Sequence, residues 1–204
     1  PYTISVVLRD LDNDGDFDLL VGSGNSDGNV YIIENTGSRI EQAWTKKASV
    51  AWMGLDPSST QFSNKVHVQQ MVDLNNDGMD DFVYRTETKM KFFQRKKMVG
   101  PDQFVARTEW ALKAEDVGEY AAPVGVDFNG DGHQDLVVGT HESGLKYFER
   151  KKTIGTGGVE YAARVDLKDK SGGVIKGQAN PTSDAQTNRP AFLDVDQDND
   201  YDLV

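Results

Sequence analysis

The sequence contains no cysteine, which excludes disulfides and thiolate metal sites. Only three histidines are present, His67, His133 and His141, and none stands beside a nucleophile motif. The G-x-S-x-G, H-E-x-x-H and P-loop signatures are missing, so no catalytic set emerges. No run approaches the roughly 20 apolar residues of a membrane-spanning helix. No Asn-x-Ser/Thr acceptor occurs, because Asn180 is followed by Pro181. Positive charge is scarce: the formal net charge is −11, which argues against nucleic acid as a partner. Hydrophobic residues make up 37% of the 204, few enough that much of the chain must lie in loops or on solvated faces.

What is abundant is aspartate in one arrangement. Asp10-Leu-Asp-Asn-Asp-Gly-Asp-Phe-Asp18 reads D-x-D-x-D-G-x-x-D. Further copies are Asp73-Leu-Asn-Asn-Asp-Gly-Met-Asp-Asp81, Asp127-Phe-Asn-Gly-Asp-Gly-His-Gln-Asp135 and Asp194-Val-Asp-Gln-Asp-Asn-Asp-Tyr-Asp202. Carboxylates or amides at alternate positions curl around one point, a glycine turns the chain, and a last carboxylate closes the ring. Such an all-oxygen set with flexible, high coordination suits Ca²⁺ before Mg²⁺. By analogy with Ca²⁺ loops generally, positions 1, 3, 5 and 9 give side-chain oxygens and position 7 its backbone carbonyl. The expected ligands are therefore Asp10, Asp12, Asp14, Asp16 and Asp18; Asp73, Asn75, Asp77, Met79 and Asp81; Asp127, Asn129, Asp131, His133 and Asp135; and Asp194, Asp196, Asp198, Asp200 and Asp202. At position 7 only the carbonyl is implicated, and the His133 ring is expected to be a bystander. Position 6 requires a positive φ, which Gly permits and Asn199, in the fourth copy, tolerates.

Fourteen of the 33 acidic residues are ligand carboxylates, so four bound Ca²⁺ would bring the charge from −11 to −3. The acidity thus reports on metal. Without it, carboxylates crowded together repel one another; with it, the loop becomes a rigid corner. An EF-hand is rejected, since it needs Glu at position 12 and flanking helices, and position 12 here is Val21, Tyr84 or Val138.

The loops begin 63, 54 and 67 residues apart, a repeat architecture. A short β-type run precedes each loop, at 3–8, 66–72, 122–126 and 190–193. An apolar run follows each: Leu19-Leu-Val21, Phe82-Val-Tyr84, Leu136-Val-Val138 and Leu203-Val204. After a turn, an aromatic-rich strand returns at 29–33, 90–93 and 145–148. A weaker fourth strand is expected around 48–53, 104–112 and 159–167. Four antiparallel strands per unit, without helices, predict an all-β fold of β-propeller blades: about 1–60, 61–118, 119–185 and the start of another at 186–204. The chain starts at Pro1 and stops in what reads as a strand just beginning, so a fragment of a longer protein is expected.

These loops, the D-L-V-V-G runs that follow them, and Ala122-Pro123 and Pro190-Ala191 upstream of two of them resemble the FG-GAP (VCBS, integrin-α-like) repeat family. The resemblance implies a Ca²⁺-binding β-propeller, one ion per loop, in cell-surface or secreted proteins. The function expected is a non-catalytic structural, adhesive or recognition module. It would bind a protein or polysaccharide at the cell surface, or neighbouring subunits. The alternatives are an accessory propeller of a secreted carbohydrate-active enzyme, or a subunit of a surface filament. Departures are Asn199 for the loop glycine, the lack of an upstream proline in the first two copies, and Arg85 where other copies have Gly22 and Gly139.

Two basic clusters recur in register, Gln94-Arg-Lys-Lys97 and Glu149-Arg-Lys-Lys152. They read either as a solvated rim offsetting the loops or as a site for an anionic polysaccharide or acidic partner. Trp44, Trp52 and Trp110 read as packing between blades or as a sugar platform. The long polar segment 171–189 is a candidate for specificity.

Overall fold

The structure, a computed structural model, describes residues 4–23, 30–46, 67–85, 90–97, 103–110, 112, 117, 121–140, 144–151, 158–175, 189–198 and 201–204. The fold is all-β. Strands β1 (Ile4–Arg9), β2 (Asp18–Ser23), β3 (Val30–Asn35) and β4 (Trp44–Lys46) form one antiparallel sheet in chain order. Strands β5 (His67–Val72), β6 (Asp81–Arg85), β7 (Met90–Lys96) and β8 (Gln103–Ala106) form a second, also in chain order. In the third, β9 (Ala122–Val126), β10 (Asp135–Gly139) and β11 (Leu145–Phe148) are followed by a split outer edge. There β12 (Arg150–Lys151) pairs with β13 (Glu160–Tyr161), and β14 (Val165–Asp166) pairs with β11. A fourth unit begins with β15 (Phe192–Leu193) and β16 (Asp202–Leu203). These are propeller blades, and the ring they describe does not close. The fourth strand of the first blade lies at Trp44–Lys46, upstream of the expected 48–53, which fall outside the described residues.

Burial follows position in the stack. β10, covered on both faces, is buried at every residue, as its unbroken apolar run requires. In β2 burial alternates, Leu20 at 0% exposure and its neighbours half-buried, because one face of the first sheet is open. Val6 is exposed on that face, and Leu8, Phe17 and Trp44 are exposed around an open groove of about 470 Å³. Between the second and third sheets lies a core of Val72, Val83, Phe92, Leu136, Val138 and Phe148, capped by Trp110. Trp110, only 2% exposed, is therefore blade-to-blade packing, whereas Trp52 lies outside the described residues. On the other face of the second sheet, Phe82 meets Phe93 and Phe104 with ring centroids 6.1 and 6.3 Å apart. Phe192 of β15 packs onto the third sheet, 6.0 Å from Phe128.

The innermost strands β1, β5 and β9 lie side by side. Between β5 and β9 the approach is close. Gly125 N–H donates to Gln70 Oε1 at 2.6 Å, and a Cβ at Gly125 would meet Val72 Cγ2 at 2.6 Å. A residue without a side chain is required there because the blades meet there. Gly125→Ala is expected to cost about 1–3 kcal/mol by overpacking, on the order of 2–12 °C in Tm. Adding Val72→Ala should recover part of this, so that the double variant loses less than the two single losses together; strict additivity in thermal melts would refute the contact.

Candidate metal centre

Each nine-residue loop joins the first strand of a blade to the second, and its own side chains build it. The position 1 carboxylate reaches across the turn. Asp10 accepts from Asn13 N (2.7 Å) and Gly15 N (3.0 Å), Asp73 from Asp77 N (3.1 Å) and Gly78 N (2.8 Å), and Asp127 from Asp131 N (3.0 Å) and Gly132 N (2.9 Å). Asp194 accepts from Asp198 N at 3.1 Å. Positions 3 and 5 each accept from the amide two residues on, a succession of Asx turns. Examples are Asp14 N to Asp12 (3.2 Å), Asp77 N to Asn75 (3.0 Å), Met79 N to Asp77 (3.0 Å), Asp131 N to Asn129 (3.0 Å) and His133 N to Asp131 (2.9 Å).

Two positions in the loop are left-handed. Position 6 is so at Gly15, Gly78 and Gly132, with φ of 95°, 86° and 83°, as expected; Asn199 and Asp200 lie outside the described residues. Position 4 is so in all four copies, at Asn13 (66°), Asn76 (59°), Gly130 (75°) and Gln197 (62°), and this was not expected. Asn or Gly in three of the four was the signal.

The position 9 carboxylate closes each loop from inside. Asp18, Asp81 and Asp135 are at most 1% exposed. One oxygen accepts from the position 2 amide: Leu11 N (2.9 Å), Leu74 N (3.1 Å), Phe128 N (3.3 Å) and, for Asp202, Val195 N (2.8 Å). The other accepts from an amide at the loop-side end of the third strand or just past it: Asn35 N (3.0 Å), Arg95 N (2.9 Å) and Arg150 N (2.7 Å). Tyr147 Oη adds a bond to Asp135 at 2.8 Å.

The structure brings together Asp10, Asp12 and Asp18, and likewise Asp194, Asp196 and Asp202, with one oxygen of each lying within 4.8 Å of the others. Two donors at about 2.3–2.6 Å from a shared Ca²⁺ can be at most about 5 Å apart, so the spacing fits such an ion. Asp14 and Asp198, at position 5, stand outside these close groups. In the second and third loops position 3 is an amide, and Asn75 and Asn129 each donate to the position 5 carboxylate, at 2.9 and 3.3 Å. Asp16 is buried with Oδ1 unpartnered. The His133 ring lies against Asn76 of the preceding loop, 3.1 Å from Nδ2.

Burial dominates the electrostatics of these groups. It pushes the Asp81 carboxyl up to about 8, against the two amide bonds that lower it. The same cause raises Asp12, with Asp18 and Asp14 adding repulsion, and raises Asp18 and Asp135. Burial and mutual repulsion both favour the protonated form of such acids.

The recurrent basic clusters prove to be part of this centre. Their arginines do not face solvent, as a rim or an anion site would require: Arg95 and Arg150 are 6% and 5% exposed. Adjacent residues of a strand point to opposite faces, and here they serve different loops. Gln94 donates to Asp77 of its own loop (3.2 Å), and Glu149 accepts from Asn129 of its own (3.5 Å). Arg95 reaches back to the preceding loop, donating to Asp10 O (3.3 Å), Leu11 O (3.4 Å) and Asn13 Oδ1 (3.2 Å). Arg150 donates to Asn76 Oδ1 at 2.5 Å. In the other direction Arg9, ending β1, pairs with Asp80 and donates to Met71 O at 3.2 Å. In the first blade the equivalent residue, Asn35, braces its own turn through Gly37 N and Ala43 N. Lys97 is exposed, and Lys151 pairs with Glu160 at 2.8 Å. His141, and residues 176–188 of the segment considered for specificity, lie outside the described residues.

Residues 73–138 match a family model described as an FG-GAP-like repeat, and residues 2–33 and 120–157 match one described as an FG-GAP repeat. No curated protein and no solved structure matches the chain.

A carboxyl raised by burial favours the folded metal-free chain while protonated, below its unfolded value of 3.8, and this contribution is lost as pH rises towards about 8. A divalent cation held by Asp81 would have to displace that proton. Binding at pH 7 is therefore expected to release protons, close to one from Asp81, with apparent affinity rising as pH rises to about 8. Calorimetry in buffers of different ionisation enthalpy counts them, and a binding heat independent of buffer would overturn this reading.

Proposed function

The chain belongs to the FG-GAP repeat family, and on that premise we propose that it is a Ca²⁺-stabilised, non-catalytic portion of an extracellular recognition or adhesion module. Repeats of this family are known in extracellular recognition and adhesion modules. No helix among the described residues is long and apolar enough to cross a membrane. The observation that carries the calcium reading is the convergence of Asp10, Asp12 and Asp18, repeated at Asp194, Asp196 and Asp202, on a spacing that fits one ion. Side-chain oxygens at positions 1, 3, 5 and 9 and the carbonyl at position 7 would hold it. When bound, the ion supplies countercharge to acids that the fold has already buried. Asn75 and Asn129 would bind through their carbonyl oxygens, giving the second and third loops a lower charge count. The metal's role is architectural: it fixes the corner between the first and second strands of a blade. The partner proposed is a protein or polysaccharide at a cell surface, or a neighbouring subunit.

Chelation tests this. Calcium at a hundredfold excess over Kd adds about 2.7 kcal/mol per site, so EGTA should lower Tm by several degrees and added Ca²⁺ should restore it. A melt indifferent to both sinks the proposal. Loop one, with four ligand carboxylates, should bind more tightly than loops two and three. Asp12→Asn should bring it down to their level in a titration followed loop by loop.

A further inference from the structure

Arg95 and Arg150 each touch two loops at once. The backbone amide of Arg95 donates to Asp81, which closes loop two, while its guanidinium holds the carbonyls of Asp10 and Leu11 and the side chain of Asn13 in loop one. The amide of Arg150 donates to Asp135, which closes loop three, while its guanidinium holds Asn76 of loop two. Asn76 is itself a second link, donating from Nδ2 to Gly132 O of loop three at 2.6 Å beside the His133 ring. Each arginine link reaches position 4, the left-handed asparagine that is no ligand, from a residue whose amide fixes the position 9 carboxylate of the next loop. The three loops are thus joined in series along one rim, by charge-assisted, mostly part-buried bonds from the two arginines and by the exposed Asn76–Gly132 bond.

We infer that these arginine–asparagine pairs couple the metal sites, so that filling one loop raises the affinity of its neighbour. The physical route is short. Asp135 would be held in place when loop three is filled; its bond to the Arg150 amide would then fix that backbone, and the placed guanidinium would hold Asn76 with loop two already turned. The order that the second ion must impose is then partly present when it arrives, which is positive coupling. Asn76 and Arg150 are positioning residues here. The inference rests on the calcium reading above.

The test follows the glycine amides by NMR while Ca²⁺ is titrated into the metal-free chain. Gly78 N–H bonds Asp73 and reports loop two; Gly132 N–H bonds Asp127 and reports loop three. Disabling loop three with Asp127→Asn should weaken binding at loop two by about fivefold or more. In an Asn76→Gly background, where the left-handed backbone is kept and the links are cut, the same lesion should leave loop two unchanged within about twofold. Gly130 shows that a loop of this kind accepts glycine at position 4. Arg150→Met gives the same comparison with the arginine removed and the loop intact. If Asp127→Asn has no effect on loop two, or an equal effect in all three backgrounds, the coupling assignment is wrong while the calcium reading stands. If neither glycine moves with millimolar Ca²⁺, the calcium reading itself fails.

Discussion

The buried carboxylate at position 9 is the interaction on which the structure depends. It is a single side chain that ties together three places: the start of its own loop, the second strand that it opens, and the loop-side end of the third strand, through Asn35, Arg95 or Arg150. Two amide bonds satisfy its oxygens without neutralising its charge, and burying such a charge is costly. At three corners a carboxylate is buried in this way, with further acids at positions 1 and 5 of its loop, and the proposed calcium role rests on that arrangement. The burial that raises Asp81 and the convergence of Asp10, Asp12 and Asp18 are two aspects of this single constraint.

Contacts between blades show the same economy. The inner strands do not merge into a continuous ladder. They are held by a side chain on an amide, Gln70 on Gly125, and by a glycine that lets Val72 approach. Further out, the apolar layer from Val72 to Phe148 fills the wedge, and Trp110 seals it. On the loop rim arginines take over.

Much of this was legible in the chain. The nine-residue pattern located all four loops, and the apolar runs after them located β2, β6, β10 and β16; in β10 the run reflects a strand covered on both faces, whereas β2 carries it with one face open. The position 6 glycines declared their backbone. The fourth strands were less legible. β4, β13 and β14 are two or three residues long and carry no period that stands out from a loop. Position 4 was missed because asparagine in a loop of aspartates looks like one more polar residue. The arginines were misread for a sharper reason. Composition places Arg-Lys-Lys on a surface, and only pairing register shows that one of the three turns inward. Their recurrence at the same distance beyond the aromatic strand was the clue.

The alternation at Gln94 and Arg95 carries a further consequence. Because one residue serves the blade's own corner and the next serves its neighbour's, the two duties are separated only by parity. A single-residue insertion within β7, downstream of Phe92, would exchange them, presenting the guanidinium to the wrong cage and the amide to the wrong blade. Length changes in this repeat can accumulate harmlessly only where no such odd–even bookkeeping applies, in the hairpin turns and beyond the outer strands. The unequal spacings of 63, 54 and 67 residues between corners are compatible with that rule, since the parity at Gln94 and Arg95 recurs at Glu149 and Arg150 while the intervals between repeats differ.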